Sequence, residues 1–131
     1  MSRDTFPAAS DPAPRRALLR ISPNPEPSLD YLVTLSAPLS SGETVEIRYV
    51  PDRDILIPEA LPAYLASAAL MGAPESIAAL VLGDILNEAL PRWVRVTLVP
   101  PPRHGVTHSV VMEDRRPGWD NPALLARMAP L

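Results

Sequence analysis

The chain has 131 residues, of which 18 are proline and none is cysteine, lysine or glutamine, so all 12 positive charges are arginine. That length suits one domain. A composition of 47% hydrophobic and 21% charged residues argues against wholesale disorder, and a net charge of -3 argues against a nucleic-acid partner, which needs a concentrated basic face. Without cysteine or lysine the chain offers no disulfide, cysteine-ligated metal, thiolate nucleophile, Schiff-base lysine or P-loop of its own.

Residues 1–27 read as a flexible arm, because prolines at 7, 12, 14, 23, 25 and 27 interrupt helices and remove ladder donors. Nothing in residues 1–17 resembles a secretory signal, and the apolar stretches at 68–74 and 77–83 are too short to span a membrane. A cytoplasmic location is therefore expected. The small basic clusters, Arg15, Arg16 and Arg20 near the start and Arg115 and Arg116 near the end, are expected to be solvated.

From Leu29 the pattern turns to period two. Leu29, Tyr31, Val33 and Leu35 alternate with their neighbours, Pro38 to Gly42 supplies a turn, and Val45, Ile47 and Tyr49 continue on a second strand. Pro58 opens a helical pattern with Leu61, Tyr64 and Leu65 that ends at Gly72. A second helix begins at Pro74 and Glu75, carries Ile77, Leu80, Val81 and Ile85, and stops at Pro91. Residues 93–99 form a third strand and residues 106–112 a fourth, before a tail from Pro117 onward. The order strand, strand, helix, helix, strand, strand predicts an α+β domain over residues 28–118, with an antiparallel four-stranded sheet and both helices on one face. Its exposed sheet edges predict association into a homo-oligomer.

Several motifs carry a family resemblance across residues 22–118. They are Pro23-Asn24-Pro25 with Asp30-Tyr31, Tyr49-Val50-Pro51-Asp52, Tyr64-Leu65 with Ser67, Gly72, Pro91-Arg92-Trp93, Pro102-Arg103-His104-Gly105-Val106 and Pro117-Gly118. In order and spacing they resemble the 7-cyano-7-deazaguanine reductase (QueF) family of the tunnelling fold. The resemblance implies a nitrile reductase that uses NADPH and forms a thioimide on a cysteine. It also implies rings built from sheets joined edge to edge, and a link to queuosine.

The departures from that pattern fall on the chemistry. The family's cysteine has no counterpart. An ungapped alignment places Thr34 there and Ser41 at the following aspartate, whereas a gapped one deletes the catalytic loop at the Pro38–Gly42 turn. An unactivated hydroxyl is a far weaker nucleophile than a thiolate. The lysine-bearing cofactor segment reads Ile57-Pro58-Glu59-Ala60-Leu61-Pro62, with Glu59 and Pro62 in place of the two lysines. No catalytic residue is assigned, and no cofactor is expected unless reductase activity, and NADPH with it, is retained.

Two residues remain as binding candidates. By the resemblance, Glu75 corresponds to the glutamate that anchors a purine-like base, a task suited to a carboxylate that accepts two adjacent donors. The same residue in a first helical turn is also simply favourable against the helix dipole. Arg103 corresponds to the arginine on the cofactor side and can bind a phosphate, or it is an exposed loop residue. His104 and His108 are the only histidines and have no evident third ligand, so no metal site is expected. Asp84 is expected at a helix edge facing solvent, the alternative being a buried functional carboxylate, and Glu43 is expected in a turn. The expected function is a reductase-like protein without the reaction, a pseudoenzyme acting as a structural or interaction subunit. The alternatives are a purine- or pterin-binding module, and an enzyme with altered chemistry or completed by a catalytically competent homologue.

Overall fold

The computed structural model describes residues 11–128. Four antiparallel strands form the main sheet in the order β2 (Val33–Pro38), β3 (Thr44–Val50), β5 (Trp93–Val99) and β6 (Val110–Arg115). Between β3 and β5 the chain passes through β4 (Asp54–Leu56) and two helices, α2 (Leu61–Ala68) and α3 (Pro74–Ala89). The α+β architecture and element order of the tunnelling-fold unit are therefore those observed.

Alternation explains the layering. Val45, Ile47 and Tyr49 of β3 and Val94, Val96 and Leu98 of β5 point to one face, where they pack with Leu61, Tyr64 and Leu65 of α2 and Ile77, Val81 and Ile85 of α3. Each aliphatic side chain so buried contributes about 1.5–3 kcal/mol relative to an exposed one. The opposite face carries Thr34, Glu46, Arg48, Arg95 and Glu113, which suits a sheet with one covered face. At one end of that face Val50 and Trp93 are fully buried, and the Arg95 guanidinium lies 5.3 Å from the Trp93 ring centre.

The terminal segments differ from expectation. Residues 11–27 are part of the fold rather than a free arm, and residues 1–10 lie outside the described residues. Helix α1 (Ala13–Arg16) accommodates its prolines in the first turn. It is followed by β1 (Ile21–Pro23), which pairs with β4 in a separate two-stranded sheet. Pro23 is tolerated because β1 is an edge. Past residue 118 the expected tail forms a short helix, α4 (Pro122–Leu125), capped by the Asn121 side chain. Hydrogen-bonded elements thus lie on both sides of residues 28–118.

Two strand boundaries also shift. The first main strand starts at Val33, because Asp30 and Tyr31 turn their side chains to polar partners instead. The last strand starts at Val110, not 106, because the three prolines at 100–102 and a tight turn occupy the segment before it. In that turn Arg103 and Val106 exchange both backbone hydrogen bonds around His104 (φ 55°) and Gly105 (φ 73°). Left-handed φ at both central residues marks the primed hairpin turns, and it is unusual for a histidine.

Candidate functional site

The hairpin between β2 and β3 closes through a short turn. The Leu39 N–H donates to the Glu43 carbonyl at 2.7 Å, and the Gly42 N–H donates to the Leu39 carbonyl at 3.0 Å. Gly42 has φ 103°, and a Cβ there would stand 3.4 Å from the Pro101 ring, so glycine suits both the backbone and the close approach. This contact joins the β2–β3 turn to the proline-rich segment after β5.

A cleft of about 390 Å³ opens at that junction, lined by Glu43, Gly72, Pro74, Pro101, Arg103 and His108, among others. Gly72, with φ 98°, ends the first helical segment and turns the chain into α3. Pro74 and Glu75 then occupy the first turn of α3, whose cap residue Ala73 provides no side-chain acceptor. The His108 imidazole Nε2 lies 3.2 Å from Glu75 Oε2. Both side chains are about half exposed, so the pair contributes little to stability.

Of the residues expected from sequence, Arg103 lines the cleft and Glu75 stands beside it through His108. His104 sits in the tight turn and His108 in the loop that follows, not on a strand as expected. Among the described residues no three histidine, aspartate or glutamate side chains are gathered as metal ligands. Glu43 is in the expected turn but is buried, with only 8% of its surface exposed, and the Ser41 hydroxyl donates to its carboxylate. Its place in the cleft could not be foreseen from the turn motif, since the opposite wall includes Pro101 and Arg103, far along the chain.

Asp84 corrects its expectation most sharply. It is fully buried in the middle of α3 and accepts hydrogen bonds from Arg15 Nε (2.6 Å), Arg15 Nη2 (2.9 Å), Arg16 Nε (2.7 Å) and the Tyr64 hydroxyl (2.5 Å). Burial by itself would push its carboxyl up. The donors from Arg15, Tyr64 and Arg16 outweigh that and hold it below the usual carboxylate range. Burial and the neighbouring carboxylate push the Tyr64 hydroxyl up, so it stays a donor. Arg15 and Arg16 are thus bound partners of α3 rather than solvated charges. No ligand-sized opening reaches Asp84 in the described cavities, so this cluster is a structural clasp.

A second clasp ties both terminal segments to the far end of the sheet. Arg92 donates to the Pro27 and Leu29 carbonyls and to the Asp30 and Asp52 carboxylates. Trp119 Nε1 and Asn121 Nδ2 reach Asp30 from the other side, and Arg116 reaches Asp52 and the Leu90 carbonyl. Arg116 is therefore bound as well, contrary to the expectation of a solvated pair.

With the geometry in place, the chain can be compared with known proteins. It is 31% identical over 115 residues to an NADPH-dependent 7-cyano-7-deazaguanine reductase of Syntrophus aciditrophicus, covering 79% of this chain and 82% of that protein. The chain belongs to this reductase family. A reductase of the same name from Acidithiobacillus ferrooxidans is 31% identical over 126 residues, covering 88% of this chain and 89% of the relative. No protein-family model matches the chain. Among solved structures, the apo archaeosine synthase QueF-Like superposes with a TM-score of 0.49 at 19% identity, covering 65% of this chain and 90% of that one. Within the reductase family, then, this chain stands as a cysteine-free member with a cleft beside the start of its second long helix.

Proposed function

We propose that this chain is a reductase-family protein without the nitrile-reducing reaction, retained as a non-catalytic structural or interaction subunit. The observation that carries this reading is the β2–β3 turn. Closed by the Leu39–Glu43 and Gly42–Leu39 hydrogen bonds and packed on Pro101, it leaves no loop on which a nucleophile could stand, in a chain that has no thiol anywhere. The cofactor fits poorly as well. Arg103 shares its cleft with Glu43, an acidic neighbour that disfavours a polyphosphate, and exposed Glu59 opens the first helical turn. Association through the free edges of β2 and β6 belongs to the same proposal.

The test is incubation with NADPH and 7-cyano-7-deazaguanine. Neither NADPH oxidation nor a covalent mass shift is expected, and turnover by the isolated chain would overturn the proposal. If activity arises only with a co-purifying cysteine-bearing homologue, the partner-completed reading replaces it.

A second reading is favoured by the cleft itself. Arg103 and His108 line one opening, and Glu75 of α3 stands beside it against His108. This supports a binding module for a flat, purine- or pterin-like molecule, with Glu75 accepting its N–H groups. Calorimetry with purines and pterins tests it; unchanged affinity in Glu75→Ala would remove Glu75 as the anchor.

A further inference from the structure

The sheet face away from the helices holds two buried polar atoms that meet no hydrogen-bond partner among the described residues, Arg48 Nε and Thr97 Oγ1. Glu46 lies between them in the ladder. It stands opposite Ser36 of β2 and Thr97 of β5, and Arg48 follows two residues along β3. Arg48 Nε is 3.1 Å from Glu46 Oε1 but lacks hydrogen-bond geometry, although only 18% of the Arg48 side chain is exposed. Directly across the ladder from Arg48 is a second cation, Arg95. Like charges at opposed positions are destabilising unless an anion serves them both. Glu113 takes Arg95 from the β6 side, through Nε and Nη2, and so answers only one of the two.

We infer that this face is an oxoanion site, where a carboxylate or phosphate group binds Arg48 beside Arg95 and displaces Glu46 as the counter-ion of Arg48. Arginine suits the task, because its planar fork offers parallel N–H donors to two oxygens. Thr34, opposite Arg48 on β2, adds a hydroxyl on the other side. The displaced carboxylate has a place to go. An opening of about 210 Å³ beside Glu46 is lined by the hydroxyl-bearing Ser36, Thr44 and Thr97. There Glu46 accepts the Thr97 hydroxyl, while the bound group gives Arg48 Nε its acceptor. One exchange thus satisfies both orphaned atoms, each costly to leave unpaired. The site shares no residue with the cleft at the start of α3.

The test is calorimetry of the full chain with inorganic phosphate and with acetate, at constant ionic strength because salt alone screens exposed charges. Arg48-dependent binding of either probe supports the inference, and the preferred probe tells a tetrahedral group from a planar one. Arg48→Gln is expected to weaken binding about tenfold or more, and Arg103→Gln, in the cleft, to leave it unchanged. Glu46→Gln removes the competing counter-ion and is expected to tighten binding. Thr97→Val is expected to keep or raise the urea midpoint without probe, since it removes an unpaired hydroxyl, yet to weaken probe binding about fivefold. A threonine with a purely structural role does not separate those two readouts. No binding of either probe, or full binding by Arg48→Gln or Thr97→Val, overturns the inference. Binding lost in Arg103→Gln but kept in Arg48→Gln places the anion in the cleft and overturns it too. Should Arg48→Gln fail to fold, Glu46→Gln decides: tighter binding supports the site, and unchanged or weaker binding overturns it.

Discussion

Helix α3 carries a carboxylate at each of two polar regions, Glu75 in its first turn and Asp84 further along. Asp84 is sealed from solvent and surrounded by donors from α1 and α2, whereas Glu75 stands at an open cleft with one imidazole for company. The first arrangement spends charge on holding the chain together. The second leaves charge available to something outside it. Polar side chains on one helix therefore separate by depth into those that clasp other segments and those left open to solvent, and depth is decided by which distant segments cover them.

The sharpest way to break this contrast is to remove the buried partner. Asp84→Ala is expected to cost about 3–5 kcal/mol, because Arg15 keeps little solvent access and loses its counter-charge. Urea unfolding checks this, and a loss below about 1 kcal/mol would make Asp84 no more structural than a surface ion pair. Tyr64→Phe removes one donor to the same carboxylate and is expected to cost about 1.5–3 kcal/mol, measured the same way.

Acid tests the carboxylates together. Asp84, Asp30 and Asp52 are all held below the ordinary range: Asp84 and Asp30 by donors that outweigh burial, and Asp52 chiefly by the Arg116 hydrogen bond. In each case the unfolded carboxyl takes up its proton at a higher pH than the folded one. The stability these pairs provide is complete above about pH 4, near the unfolded value, and drains away as pH falls from there through the lower folded values. Urea midpoints should hold between pH 7 and 5 and then drop. In Asp84→Asn the drop should be shallower; an identical acid profile would show that Asp84 contributes nothing to it.

The smallest effect belongs to the cleft. Glu75→Ala and His108→Ala are each expected to change stability by less than about 0.5–1 kcal/mol, as for other exposed pairs. Larger losses, read from thermal or urea midpoints, would mean that this pair is a clasp too and that the division along α3 fails.

How much of this was legible beforehand follows the same division. The strands around Ile47 and Val96 and the helix bearing Ile77, Val81 and Ile85 were readable, because a period of 2 or 3.6 records local geometry directly. The ordered segment at 11–27 was not, since Arg15 and Arg16 meet Asp84 across 69 and 68 residues and β1 meets β4 across a gap about half as long. Prolines there suggested an arm, while the contacts that anchor it have no local signature. In the cleft, Glu75 and Arg103 could be singled out only through family resemblance. Glu43 beside Gly42 has no local signature of burial, because its cleft neighbours Pro101 and Arg103 lie far along the chain.

That covered turn also bears on how a nucleophile loop could be built into this hairpin. Thr34, the position that an ungapped reading sets against the missing thiol, lies exposed on β2 opposite Arg48, on the sheet face away from the helices and outside the cleft. Writing cysteine there changes the letter without changing where the sulfur stands. Reconstruction would call for extra chain between Leu39 and Glu43, and the first residues to make way would be Gly42 and Pro101. For this hairpin, room for a nucleophile is a question of length before it is one of side chains.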